Sequence, residues 1–515
     1  MSAALWWIKR DFRLHDNQAL SEAIAQHQYV LPVFLLEPDL LQAHDTSRFH
    51  WHYQLNALRA LKTELQSIGA DLLVLSLDAI SAFEWLHKRM AFSHIYSHQE
   101  TGNDMTFKRD NAVLSWSTAN NVTWQQYLQF GVIRCLKNRD QRNELLKPIL
   151  FEQTPLIAPK QFPFHPKLAK LCQQSKIPNL ADLPIEDIIQ DFTPSQLQDI
   201  SEAQGQATLK DFLSQRSLAY MGGISSPNSA FVAGSRLSAH LAWGTLSLRQ
   251  VFYSTFERMA QLKHEQHPDA GRWRKSLSAF QSRLHWHCHF IQRLESAPSM
   301  EFKALNPAYE AIDYSHNKQR LHAWIMGETG FPLVDACMRC LHATGFLNFR
   351  MRAMVVNFAC YALHLDWRDL HGPLAQLFAD YEPGIHLSQL QMQAGIVGIN
   401  TMRVYNVNKQ LLEQDPQGIF CRRYVAPLRN VPMADWLNPL HNIAGYPRPI
   451  VRAHTNIEQM KQQIMAIRKS EAAKEPTRQV LQQHGSRAWR NDRNKRPAGR
   501  KSHKKVSKDQ LSLDL

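Results

Sequence analysis

Leu5-Trp6-Trp7-Ile8, Tyr29-Val-Leu-Pro-Val-Phe-Leu-Leu36, Ala70-Asp-Leu-Leu-Val-Leu-Ser76 and His94-Ile-Tyr-Ser97 are four short apolar runs in the first hundred residues. The stretches between them, such as 49–68, carry apolar residues at helical spacing. Strand-like runs alternating with helical stretches predict βαβ units and a doubly wound parallel sheet over residues 1–132. Sheets of this kind bind ligands at the carboxyl ends of their strands. No G-x-G-x-x-G follows the first run, so dinucleotide binding in the usual manner is not indicated.

Beyond this α/β portion the pattern changes. Residues 133–204 are read as a Pro-rich interdomain connector, because Pro148 to Pro194 holds eight of the 25 prolines and proline interrupts regular helix and strand. Residues 205–470 are read as a large all-α domain, with helical patterns at 237–248, 274–294, 333–341 and 355–365. The last is apolar almost all round, as in a helix at the centre of a bundle. Residues 471–515 are read as a basic, disordered tail.

Composition sets the limits. The 515 residues allow two to four domains, and 44% apolar with 20% charged residues is ordinary globular chemistry. No apolar window reaches the length of a membrane span. Charge appears after eight residues, so a secretory signal is not expected. Seven scattered cysteines suit free thiols in a reducing cytoplasm. Net charge is +14, of which Arg487–Lys508 supplies +9, ten Lys/Arg against Asp492. Such a segment attracts nucleic acid or acidic lipid without sequence preference, or simply stays solvated.

Several clusters carry candidate chemistry. Gly234-Ser-Arg-Leu-Ser238, after Tyr220-Met-Gly-Gly223, opens a helix whose free N–H groups and Arg236 suit a pyrophosphate. A plain N-cap at Ser235 or Ser238 is the ordinary alternative. Arg350 and Arg352 sit among apolar residues and need partners, for which Asp380 and Glu382 are suited. A purely structural ion pair meets the same need. His285, His287, Cys288 and His289 are ligand types, yet neighbouring helical positions face different ways, so no shared zinc is expected. Cys337-Met-Arg-Cys340 is a lone C-x-x-C, read as buried thiols.

Trp7-Ile-Lys-Arg-Asp-Phe-Arg-Leu-His-Asp-Asn17, the 234–238 loop, Thr329-Gly-Phe-Pro-Leu-Val-Asp-Ala-Cys-Met-Arg339, Thr344-Gly-Phe-Leu-Asn-Phe-Arg-Met-Arg352, Asp366-Trp-Arg368 and Arg403-Val-Tyr-Asn406 follow in order. Together, over about residues 4–445, they resemble the photolyase/cryptochrome flavoprotein family. The resemblance implies an α/β antenna domain and a helical domain holding folded FAD. Tyr220, Gly234, Ser235, Arg236, Leu237 and Ser238 would hold the phosphates and ribityl chain. Arg352 would pair with Asp380 beside the isoalloxazine, with Tyr381 adjoining and Glu382 at the ring edge. His386 takes the place facing flavin N5, where photolyases usually carry asparagine. A histidine there is expected to exchange protons near neutral pH.

The resemblance also implies a DNA surface. Trp286 matches the tryptophan that stacks on an extruded pyrimidine dimer. Phe349, Arg350 and Arg403 complete the set, with Arg350 suited to a phosphate. Departures are concentrated here. Arg283 stands where dimer photolyases carry Glu or Gln, Phe349 where they carry Asn, and Ala353 where they carry Met. The histidine pair that (6-4) photolyases have at the last two positions is absent. Trp286, Arg283 and His386 are the expected catalytic residues. In the family's electron-transfer tryptophans, Trp367 is retained, Leu390 replaces the flavin-proximal member, and the distal one falls near Ala308 or Tyr309.

Two functions fit: a lyase repairing pyrimidine dimers in flipped-out UV-damaged DNA, or a blue-light receptor without repair. No membrane partner is expected, and the chain is taken as a monomer. His98-Gln-Glu-Thr-Gly-Asn103 is placed at a strand end for an antenna pigment, with folate, deazaflavin or none left open.

Overall fold

The computed structural model describes residues 3–485, apart from 191, 400 and 439–440. The basic segment 487–508 lies outside the described residues.

β1 (Ala3–Ile8), β2 (Tyr29–Leu35), β3 (Leu73–Leu75), β4 (His94–His98) and β5 (Thr123–Tyr127) form one parallel sheet. Its order is β3-β2-β1-β4-β5. The register runs from Ala3 opposite Tyr29 to Ile8 opposite Phe34, and Leu5 faces Ile95. Successive side chains of a strand point to opposite faces. Thus Ala4, Trp6 and Ile8 join the core containing helices Gln18–Gln26 and Arg48–Ser67, and Leu5 and Trp7 join that of Ala79–His87 and Asp104–Ala119. β5, Thr-Trp-Gln-Gln-Tyr, has no apolar run to announce it, because as an edge strand it stays partly exposed. The chain reverses its direction of growth at β1, so a crevice opens beyond the carboxyl ends of β1 and β4.

The connector is more regular than its prolines suggest. It holds helices Arg142–Leu150, with Pro148 inside, and Pro166–Gln174. The remaining chain is helical, built around Ala270–Ser296, Pro332–Thr344, Phe349–Tyr361 and Pro383–Gln393. No helix among the described residues is long and apolar enough to cross a membrane.

Two expectations change. The tail does not begin at 471, since Glu471–His484 is a helix packed on Ala453–Lys469. Residues 237–248 are not one helix. Ser238–Ala242 is a short helix, the chain turns at Gly244 with φ +68°, and a new helix, Leu248–His264, starts at Ser247. Ser247 and Gln250 cap that start reciprocally, at 2.9 and 3.0 Å.

The turn at 244 exists because the opening motif packs into it. Arg13 donates through Nη1 to the Gly244 carbonyl at 2.9 Å. Arg10 donates to the carbonyls of Ala242 at 2.9 Å and Tyr381 at 2.7 Å, and lies over the Trp243 ring at 4.7 Å. Asp16 pairs with Arg249. A Cβ at 244 would run into the Arg10 carbonyl oxygen. Gly244→Ala adds this clash to a left-handed backbone. It is expected to cost at least about 2 kcal/mol in denaturant unfolding, with loss of the α/β-to-helical contact. A midpoint unchanged from wild type would refute this account of the turn.

Candidate functional site

Four segments converge on one cavity of about 1510 Å³, its open mouth included. They are the stretch Tyr220 to Ala242, one face of helix Ala270–Ser296, the start of Phe349–Tyr361, and the run from Phe378 into Pro383–Gln393. Tyr220, Gly234, Ser235, Arg236, Ser238, Arg352, Asp380, Tyr381, Glu382 and His386 all line it, as do Arg283, Trp286 and Phe349. Leu237 lies behind the wall in the core, and Trp367 is buried outside it with the Arg368 guanidinium over its ring at 4.8 Å. Arg350 and Arg403 are not part of the lining; Arg350 is half-buried and donates to Gln410 at 3.3 Å.

The 234–238 loop is held open by its surroundings. Neither Ser235 nor Ser238 caps the helix; the N-cap position is Leu237, with no side-chain cap bond. Arg236 adopts φ 61°, and its carbonyl accepts from Gln198 at 2.8 Å. Arg216 donates to the carbonyls of Gly234 and Ser235. The Arg236 guanidinium rests on Phe346 at 3.8 Å, yet Nη1 is buried without a partner. Burial lowers its pKa, so the site rewards an anion.

Arg352 and Asp380 pair at 2.9 Å, as expected. Glu382 pairs with Arg10 at 3.5 Å rather than with Arg350. Its Oε1 is buried and unpartnered, and burial raises its pKa to about 7 against the pull of Arg10. Asn348 Oδ1 and Gln389 Nε2 are further unpartnered atoms on the same wall. Buried polar atoms without partners are rare in native proteins. Their clustering here fits a large polar ligand, and the mixture of carboxylate, amide and guanidinium suits FAD's phosphates and ring edge. Asn348 was legible inside the 344–352 motif. Gln389, Leu390 and Gln393 follow His386 at helical spacing and share its face.

His386 departs from expectation. It is 7% exposed, and its Nε2 donates to the His371 carbonyl at 3.2 Å, which leaves Nδ1 as an acceptor. Burial, then His371, hold its pKa well below the usual value. It is a neutral hydrogen-bonding group, not one that titrates near pH 7.

Arg283 forms no ion pair with an acid among the described residues. Its guanidinium lies over the Trp286 ring at 4.0 Å. His285, His287 and His289 turn to different neighbours: Phe252, Phe130 and Arg293. Cys337 and Cys340 are buried free thiols.

A second cleft of about 740 Å³ lies at the carboxyl ends of the strands. Glu100, Gly102 and Asn103 of the 98–103 segment line it. Beside it Arg109 bridges Glu37 at 3.0 Å, Glu100 at 2.6 Å and Asp110 at 2.8 Å. Tyr381 belongs to the walls of both cavities.

Comparison with known proteins follows the same division. Residues 4–134 match the family described as DNA photolyase, and residues 280–466 match the FAD binding domain of DNA photolyase. A deoxyribodipyrimidine photo-lyase of Synechococcus is 24% identical over 477 residues, 89% of this chain and 95% of the relative. A cryptochrome DASH of Gloeobacter violaceus is 25% identical over 460 residues, 84% and 87%. The structure of a class III photolyase from Agrobacterium tumefaciens superposes with a TM-score of 0.78 at 22% identity, covering 91% of this chain and 98% of that one.

Two outcomes are expected. Arg236→Ala removes the charge and the unpartnered N–H aimed at an anion, so the purified variant should lack bound flavin; a yellow variant with full FAD content would contradict the assignment. Glu382 binds its proton more tightly folded than unfolded. Flavin-free protein therefore loses stability as pH rises from the ordinary carboxylate range to about 7. The effect is worth roughly 3 kcal/mol. Glu382→Gln should flatten that part of the slope, measured by denaturant unfolding at pH 5 and pH 8, while Glu64 and Glu301, also raised to about 7, keep theirs.

Proposed function

The chain belongs to the photolyase/cryptochrome family of FAD-binding proteins, and from that premise we propose that it is a light-driven DNA photolyase splitting UV-induced pyrimidine dimers. The observation that carries this reading is the placement of Trp286 and Arg283 on the wall that also holds Arg236, Arg352, Asp380 and Glu382. A base flipped from DNA and stacked on Trp286 thereby shares a cavity with the flavin cradle. When bound, reduced FAD supplies an electron under blue light, and the protein supplies position and electrostatics.

Trp286 gives the lesion a flat apolar face. Arg283, with no ion-paired carboxylate among the described residues, directs positive charge into the space where carbonyl oxygens gain electron density. Phe349, 42% exposed, stands at the mouth as an apolar wedge. Arg350 and Arg403 contact phosphates and fix register without reading sequence. The basic segment 487–508 adds affinity that falls with salt. The chain acts as a monomer in the cytoplasm. The smaller cleft is read as the seat of an antenna pigment, a folate or a deazaflavin.

A second reading, a blue-light receptor without repair, draws on Leu390 in the cavity wall and on Ala353 and Phe349 in place of lesion-binding side chains. One assay separates them. Protein with chemically reduced flavin is illuminated with oligonucleotides bearing either a cyclobutane dimer or a (6-4) lesion. The repair reading expects restored bases from one substrate and a loss of roughly 1–3 kcal/mol of lesion binding in Trp286→Ala. Binding of undamaged duplex should change little, because it rests on phosphates. Arg283→Ala should lower repair yield more than binding. No repair of either lesion, with equal affinity for damaged and intact DNA, rules out the repair reading and favours the receptor.

A further inference from the structure

Three side chains on the flavin cavity wall can be oxidised by one electron at modest cost: Tyr220, Trp286 and Tyr381. Their surroundings differ in sign. The Trp286 ring lies under the Arg283 guanidinium at 4.0 Å, and a fixed cation against a ring opposes the loss of an electron from it. Tyr220 faces the same Arg283 charge, and among the described residues no carboxylate lies beside its hydroxyl. Tyr381 is the opposite case. Its hydroxyl donates to Asp45 Oδ2 at 2.8 Å, and both residues are buried, at 7% and 4% exposure. Asn103 donates to the same oxygen at 3.0 Å and fixes the carboxylate.

The position is equally specific. The Tyr381 ring stands edge-on to His386 at 5.3 Å and stacks on His50 at 5.6 Å, whose other neighbour is Trp243 at 5.5 Å. Tyr381 also faces the smaller cleft, which holds Asp45, His50 and Trp243 in its wall. Leucine at 390 cannot donate an electron, and Trp367 lies outside the cavity lining with the Arg368 guanidinium over its ring at 4.8 Å, a fixed cation that opposes its oxidation.

We propose that Tyr381, with Asp45 as acceptor of its proton, reduces the light-excited oxidised flavin in this chain, in place of a tryptophan at 390. The inference rests on the reading of the protein as a light-driven flavoprotein. Tyr381 gives one electron to the flavin and its O–H proton to Asp45 Oδ2, which leaves a neutral phenoxyl radical and a protonated carboxyl. A thiol entering the smaller cleft while it holds no pigment returns the electron, and the proton moves back from Asp45 to the phenol oxygen. The thiol releases its own proton to solvent and two such sulfur radicals join as a disulfide. The charged and titratable groups around Asp45 and Tyr381 are Arg10, which donates to the Tyr381 carbonyl at 2.7 Å, with His50, His371, His386, Glu301 and Glu382. Burial holds His50 and His371 at about 4 and His386 well below its usual value, so the three stay neutral and do not compete for the phenolic proton.

The test uses the full chain with oxidised FAD bound, blue pulses and dithiothreitol as the thiol. Flash absorption and electron paramagnetic resonance should show a phenoxyl radical in the native protein, its spectrum altered by ring-deuterated tyrosine, with slower formation in D2O. Tyr381→Phe should slow light-driven loss of the oxidised flavin band by about tenfold or more. Asp45→Asn keeps the phenol and removes the proton acceptor; it should slow the same step and abolish the D2O effect. A tryptophan radical alone in the native protein overturns the proposal, even where a variant fails to hold flavin. So does an unchanged rate in Tyr381→Phe. Native protein that holds FAD and never loses the oxidised band under light overturns the light-driven reading with it. Dimer repair by chemically reduced native protein tests repair separately from this route.

Discussion

The guanidinium of Arg10 is the joint on which the molecule turns. It leaves the end of β1, reaches the carbonyls of Ala242 and Tyr381, lies over Trp243 and faces Glu382. One side chain thus ties the sheet to two of the four segments that form the flavin cavity. A planar fork with several donors suits this task in a way a lysine would not. Its neighbours in sequence extend the same seam: Arg13 to Gly244, Asp16 to Arg249, and Asp11 to His98 at 2.7 Å at the end of β4. The residues of the opening motif therefore act as a bridge between two layers of structure, and the left-handed turn at Gly244 is the space that bridge requires.

The cavity beyond this seam is built at a cost. Arg236, Asn348, Glu382 and Gln389 each leave a buried polar atom without a partner, and each such atom costs about 1–3 kcal/mol. The fold carries that cost because the rest of the helical portion is densely apolar, with Met354, Val355, Leu363 and Leu387 fully buried. A ligand that satisfies these atoms gains what the empty site lacks, which couples FAD binding to stability. The same wall carries guanidinium groups, Arg236, Arg283 and Arg352, and carboxylates, Asp380 paired with Arg352 and Glu382, with Asp45 behind Tyr381. Charge of either sign that forms in the cavity has a place prepared for it.

Much of this was legible in the chain as written. The βαβ alternation and the helical periodicity predicted the two-part architecture, because apolar periodicity is a local property of sequence, whereas the candidate FAD cradle and the Arg352–Asp380 pair were implied by the resemblance of the ordered motifs to the family. The tertiary structure alone decided the rest. β5 is an edge strand whose polar face hides it from a search for apolar runs. Residues 237–248 read as one helix until Arg10 and Asp11, more than two hundred positions earlier, press against Gly244. His386 has an ordinary imidazole pKa in sequence, and it is burial among His371, Tyr381 and Phe378 that keeps it neutral. Tyr381 reads as a neighbour of an ion pair, and only folding brings Asp45 to its hydroxyl. The division has one physical cause: sequence records what each segment prefers, while burial and electrostatic partnership depend on which distant segments meet.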